Sequence, residues 1–375
     1  MAYRQVRCAR DSLHLLGFTW KDLWYFDKCL TMGASISCAK FEKLSTAVQW
    51  ILTNKLSVQY MSHILDDFMF FGPQGSSLCS NSLNAFLLLA DSLGLPINHK
   101  KTVLPATSVE LHGILFDTDM MVMSLPQDKV AKALVSIDDM FKKKKVTLLQ
   151  VQQLHGLLNF ACRAVPPGRT FLRRMADLMK GCIFPSHHIR LTKEARKDLL
   201  AWRYFLGHFN STPIIKSIQW SRDYDWKFFS DASGSGYASV FDSSWFYGSF
   251  PPSWSSKSIA VKELVPIYLS FLLWAPRLKN SKIIFMVDNM SVVCVLQSKT
   301  ARDPVLMGMV RKMVVISMLT NIQFSASHLP GKFNVVTDAL SRFQVSKAKK
   351  LAPWLEEEPA KISCSFFPWS TKRLH

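Results

Sequence analysis

WKFFSDASGSGYASVFDSSWFYGSF, residues 226–250, decides the fold. Three short runs rich in aromatic residues, WKFFSDAS, GYASVFD and SWFYGSF, are separated by Gly/Ser/Asp turns. Spacing this close predicts tight turns and an antiparallel three-strand meander. One acid, Asp231, closes the first run, where a strand tip meets a loop. Downstream the pattern alternates. VKELVPIYLSFLLW predicts a helix, SKIIFMVD a strand, 291–299 and 303–319 helices, NIQFSAS a strand and NVVTDALSRF a last helix. Strands alternating with helices imply parallel pairing in part of the sheet. Residues 220–345 therefore predict an α/β domain, and 346–375, with prolines and Glu356-Glu357-Glu358, read as a tail.

Upstream, residues 126–219 read as helical. Thr147 followed by Gln150 forms a capping-box start for TLLQVQQLHGLLNFACRAV, and Pro166-Pro167-Gly168 breaks that run. RTFLRRMADLMK and TKEARKDLLAWRYFLGHF follow. Lys142 to Lys145 read as a solvated loop, with a phosphate contact as the alternative. Residues 1–125 mix strand-like runs (WYFDKCL, HILDDFMFFG, VELHGILFD) with helical spacing in SISCAKFEKLSTAVQWILTNKL and SLCSNSLNAFLLLADSLGL, an α+β pattern.

Lys and Arg number 46 against 27 Asp and Glu, a net charge of +19. The surplus is +11 over residues 1–219, +5 over 220–345 and +3 over 346–375, so it is not confined to one arm. A basic surface of this extent points to a polyanionic partner, most simply nucleic acid. The eight cysteines form no C-x-x-C pair and no zinc spacing, and read as reduced thiols. MAYRQVRCARD lacks the apolar core of a signal peptide. The most apolar long stretch, Leu264 to Pro276, is too short to span a bilayer. The expectation is a nuclear or cytoplasmic protein, not secreted and without a membrane partner. Nothing fixes its oligomeric state.

The acids carry the chemistry. Asp231 and Asp288 each close a strand, Glu263 lies early in a helix, and Asp338 lies in the last helix. Taken singly, each suits a cap or a surface. Four on separate elements, each beside a buried segment, predict one convergent site. Such a site needs cations, and hard oxygen ligands suit Mg²⁺ or Mn²⁺. Two metals about 4 Å apart would favour phosphodiester hydrolysis. His328, between a strand and the last helix, supplies an imidazole, a group suited to passing protons near neutrality. Asp66 and Asp67 stand together inside the apolar run HILDDFMFFG, either as a polar hairpin turn or as a second cation site that relieves their repulsion.

SDAS, KEL, VDN, SHLPG and N-x-x-T-DALSR resemble the ribonuclease H domain of retroelements, with the acids 32, 25 and 50 residues apart in the order expected. The resemblance implies Asp231, Glu263, Asp288 and Asp338 as metal ligands and His328 as the proton-transfer residue. LDDF resembles the catalytic hairpin of reverse transcriptases. The phrases MGASISCAKFEKLST, LHGILFDTDMMVMSLPQDKV, LLNFACRAVPPGRTFLRRM and HHIRLTKEARKDLLAW resemble the polymerase of DIRS-like retrotransposons, over about residues 3–345. This implies a truncated reverse-transcriptase palm (1–125) and a helical thumb and connection (126–219). A ribonuclease H-like domain with a mixed five-stranded sheet and flanking helices (220–345) follows. Gly113 to Asp117 would lie near the primer grip, and Asp66 and Asp67 would be polymerase metal ligands. Arg169, Arg173 and Arg174 are candidates for nucleic-acid contact.

The departures are specific. Ala2-Tyr3-Arg4 occupies the family's Ala-Phe-Arg phrase, so the third polymerase acid would fall before residue 1. Ile64 replaces a usual Tyr, Thr31 a usual Pro, and Ala238 a usual Gly in a turn one residue short. The expectation is an RNA–DNA hybrid ribonuclease, an endonuclease that cuts the RNA strand, attached to a polymerase inactive by itself. The alternative is a catalytically inactive nucleic-acid-binding remnant.

Overall fold

The structure, a computed structural model, describes residues 3–213 and 226–368. Ala2 and the boundary read at 219/220 lie outside the described residues. The chain divides into two units between Thr107 and Ser108.

In the first unit, β1 (Gly17–Trp20) and β2 (Leu23–Phe26) form a hairpin. Helix α1 (Ser37–Lys55) packs Phe41, Val48 and Leu52 inward. Strands β3 (Met61–Ile64) and β4 (Asp67–Phe70) pair antiparallel across a two-residue turn, and α2 (Leu78–Ser92) sets Phe86 against Phe68 and Phe70. The predicted helices and the LDDF hairpin are thus all present.

The second unit opens with β5 (Ser108–Leu111), β6 (Ile114–Asp117) and β7 (Val122–Ser124), joined by α3 (Gln127–Lys142), β8 (Lys145–Thr147) and α4 (Leu148–Ala161). Then come α5 (Arg173–Leu178), β9 (His188–Arg190), α6 (Lys193–His208) and β10 (Thr212–Pro213). The Thr147/Gln150 capping box forms as expected. The segment read as wholly helical also holds two short pairings: β8 with β9, and β10 with β7. Gly168 is forced by packing, because a Cβ there would lie 2.4 Å from the Trp202 ring.

The rest of the unit is β11 (Trp226–Ala232), β12 (Gly236–Phe241), β13 (Ser244–Ser249), α7 (Ile259–Trp274), β14 (Lys282–Val287), α8 (Met290–Ser298), α9 (Pro304–Thr320), β15 (Gln323–His328), α10 (Val335–Ser341) and α11 (Val345–Leu351). The sheet order is β13-β12-β11-β14-β15. The first three strands form the predicted antiparallel meander, and β14 pairs parallel with both β11 and β15. This is the mixed five-stranded, helix-flanked α/β architecture that the sequence predicts.

Helix α7 runs on through a 3₁₀ turn, and the segment Ile259–Leu278 is twenty residues long and apolar enough to cross a bilayer, longer than the Leu264–Pro276 stretch read from sequence. Most of it is buried in the protein, with Leu264, Ile267, Tyr268 and Phe271 fully enclosed, so its apolarity on all sides is that of a core helix. One continuous core runs from Ile114 to Ala326, joining α3–α6 to the five-stranded sheet. Arg311 on α9 and Arg174 on α5 both reach the buried Asp198 on α6. Residues 346–368, read as a tail, contribute α11 and pack Ala348, Ala352 and Leu355 against Ala238, Val240 and Trp245.

Candidate active site

Three elements of the second unit bring their acids to one point. Asp231 stands near the end of β11, Glu263 in the first turns of α7, and Asp288 just past β14. Each offers a carboxylate oxygen, and the three lie within 4.8 Å of one another. Asp231 and Glu263 are buried; Asp288 is half-buried. Asp338, on α10, lines the same cleft of about 430 Å³ with Asp231 and Asp288. His328 ends β15 opposite Val287, the residue before Asp288.

Local chemistry explains the placement. Ser258 caps α7, so Glu263 comes just past its first turn. Asn289 caps α8 by accepting from the Ser291 and Val292 amides, which ends β14 at the acid before it. Asn334 is buried and donates through Nδ2 to the Ser230 carbonyl (2.8 Å). That bond ties the start of α10 to β11 and sets Asp338, four residues on, over the cleft.

The acids raise one another's affinity for protons. Burial pushes the Glu263 carboxyl up to about 9, and Asp231 and Asp288 add to this, against a hydrogen bond from the Ala232 amide. Burial also lifts Asp231 to about 6; the Ser341 hydroxyl, which donates to its Oδ2, pulls it back, and Asp288 and Asp338 push it up again. Asp288 is raised chiefly by burial, while its backbone amide and His328 favour its charged form. Glu263 Oε2 is buried with no hydrogen-bond partner. An orphaned carboxylate oxygen beside two more carboxylates is a poor arrangement for protein alone. It fits a hard divalent cation such as Mg²⁺ or Mn²⁺.

Residues outside the expected set complete the site. The buried Lys262 donates from Nζ to the carbonyls of Gly234 (2.9 Å) and Ser255 (3.2 Å), fixing the turn after Asp231. That turn, one residue short against the resembled pattern, closes on itself: Ser233 accepts from the Gly236 amide (2.8 Å) and donates to the Ser341 carbonyl (2.9 Å). Gly236 is required, since a Cβ would stand 2.2 Å from the Ser341 oxygen. Ala238 is buried and pairs with Asp231 in register. Asn334 and Ser341 both lie in the N-x-x-T-DALSR phrase, which was the available signal. Lys262 lies in the KEL phrase, but nothing local signalled that its ammonium would bridge the Gly234 and Ser255 carbonyls.

In the first unit, Asp66 and Asp67 sit exposed at the tip of the β3–β4 hairpin. Glu42 on α1 holds that tip: its Oε2 accepts from the Leu65 amide (3.0 Å), and its Oε1 lies 3.0 Å from His63 Nε2. Among the described residues no third carboxylate joins the pair in a metal-ligand cluster. Arg169 and Arg173 are exposed, and Arg173 pairs with Asp177 (3.3 Å). Arg174 is committed to Asp198 (2.9 Å) and the Glu194 carbonyl (3.1 Å).

No protein-family model and no curated protein sequence matches the chain. Among solved structures it is similar to the foamy viral protease-reverse transcriptase in complex with an RNA/DNA hybrid: 17% identity and a TM-score of 0.48 over 87% of this chain and 42% of that one. The same viral protein's dRH form with double-stranded DNA gives 18% and 0.46, over 86% of this chain and 54% of that one. Its complex with double-stranded DNA gives 16% and 0.46, over 86% and 64%. The chain therefore spans less than two thirds of each.

Proposed function

We propose that this chain is a retroelement-derived ribonuclease that hydrolyses the RNA strand of an RNA–DNA hybrid with Mg²⁺ or Mn²⁺, and that it comes from a DIRS-like element. The observation that carries the reading is the convergence of Asp231, Glu263 and Asp288, with Glu263 Oε2 left without a partner and Asp338 on the same cleft. The quoted sequence phrases support the family.

Asp231, Glu263, Asp288 and Asp338 would hold the cations. A cation held there supplies Lewis-acid stabilisation of charge building on the phosphate and a more acidic water. Ser341 orients Asp231 through its hydroxyl, and Lys262 keeps the following turn closed. His328 carries a proton to the leaving 3′ oxygen, giving 3′-hydroxyl and 5′-phosphate ends. The basic surplus favours the hybrid through phosphate contacts, so binding weakens steeply with salt. Asp66 and Asp67 would be the remaining polymerase hairpin. With no third carboxylate beside them among the described residues, residues 1–375 alone are not expected to extend a primer.

The test is cleavage of a labelled RNA–DNA hybrid by the full chain with Mg²⁺, Mn²⁺ or EDTA, beside single-stranded RNA and double-stranded DNA. Metal-dependent cutting of the RNA strand, abolished in Asp231→Asn with hybrid binding retained, is the expected result. Binding without cutting by the folded wild type would leave a binding remnant instead.

A further inference from the structure

The C-terminal helix α11 reaches the acidic cleft. It follows α10 through a sharp turn at Phe343 (φ 62°), closed by the Gln344 amide on the Ala339 carbonyl (2.8 Å). Ala348 and Ala352 are fully buried, and Lys349 donates to the Glu357 carbonyl (2.6 Å). With those positions anchored, Lys347 and Leu351, four residues apart and so on one helix face, line the cleft with Asp231, Asp288 and Asp338. Lys332, in the turn after β15, lines it too. Lys347 is exposed, and among the described residues it makes no ion pair.

An anionic substrate entering a cleft with three carboxylates meets repulsion, and lysines on the same walls offset it. A lysine ammonium on a flexible stem suits a phosphate whose position shifts along a backbone. We propose that Lys347 is a positioning residue. Together with Lys332, it seats the phosphodiester backbone of the cut strand across the carboxylate cluster, which makes the C-terminal segment part of the substrate cleft. This rests on the nuclease reading and deepens it.

The test compares the full-length wild type with Lys347→Glu, Lys347→Arg and Lys350→Glu, the last an exposed α11 lysine that does not line the cleft. Hybrid affinity is measured in EDTA by fluorescence anisotropy across a KCl series, and cleavage kinetics are measured with Mg²⁺. Expected for Lys347→Glu are about tenfold weaker binding, a log Kd–log salt slope reduced by about one, and a raised KM with kcat nearly kept. Lys347→Arg should stay near wild type, and thermal unfolding should show all variants folded. A Lys347→Glu protein matching Lys350→Glu in affinity, slope and KM overturns the inference. If the wild type binds but does not cut, the nuclease reading falls while the salt slope still decides Lys347. If the wild type does not bind the hybrid, both fall.

Discussion

Glu263 concentrates the electrostatic problem of the cleft. Without a cation its carboxyl titrates near 9 against an ordinary 4.5, and that of Asp231 near 6 against 3.8. The folded protein thus keeps protons that the unfolded chain releases. The contribution of these two acids to the stability of the metal-free protein is fullest below about pH 4 and is lost as pH rises through about 6 and about 9. Thermal unfolding in EDTA should show Tm dropping over that range, and Glu263→Gln should flatten the drop. Mg²⁺ or Mn²⁺ should flatten it too, because a cation takes the place of the protons. A level Tm in EDTA would mean that burial and the neighbouring carboxylates do not hold protons on these acids. A third buried acid, Asp198, is also lifted by burial, to about 6, but two arginines pull it back. Asp198 sits between Arg174 (2.9 Å) and Arg311 (3.4 Å), and Arg311 is itself nearly enclosed. Asp198→Ala leaves a buried guanidinium without its counter-charge and should cost about 3–5 kcal/mol, read from the midpoint of urea unfolding.

Helix α10 shows how one polar bond positions an element. Its seven residues are too few to be stable alone, and Asn334 fixes its start to the Ser230 carbonyl of β11. Asn334→Ala leaves that carbonyl without its donor, which should lower stability by about 1–3 kcal/mol. Cleavage should fall by more than hybrid affinity does, since Asp338 loses its fixed place over the cleft. Equal losses in both would give Asn334 a purely structural role. The helix and its acid were legible in NVVTDALSRF, as the meander was in 226–250, because period and strand-end acids are local signals. The Thr147/Gln150 cap was legible for the same reason. Strands β8, β9 and β10 were not, since two or three residues carry no period. Asp198 was hidden because it stands among the other charges of KEARKDLLAW, and its burial is decided by residues of α5 and α9, far away in sequence. Helix α11 was hidden because SKAKKL is mostly polar and shows no apolar period; Ala348, with Val345 partly buried beside it, is what meets the sheet.

At the scale of the whole molecule, the sheet is not finished at residue 345. Strand β13 is one edge of the sheet, and the segment after α11 covers it: the Glu356 amide donates to the Ser243 carbonyl (2.9 Å) and the Ala360 amide to the Trp245 carbonyl (2.7 Å). The Ser244 hydroxyl donates to the Glu356 carboxylate (2.7 Å), and the Trp245 indole to the Glu356 carbonyl (2.8 Å). Ile362, Phe366 and Phe367 then pack on the main core. Ending the chain at residue 345 therefore removes α11, strips the cover from Trp245 and bares the backbone groups of β13. Loss of Leu355 burial alone should cost about 1.5–3 kcal/mol, and the bared edge becomes a site for strand pairing between copies. Such a chain should unfold several degrees lower than the full chain and associate as its concentration rises, measured by calorimetry and light scattering. A truncated chain that stays monomeric with an unchanged Tm would show that the C-terminal segment does not complete the sheet.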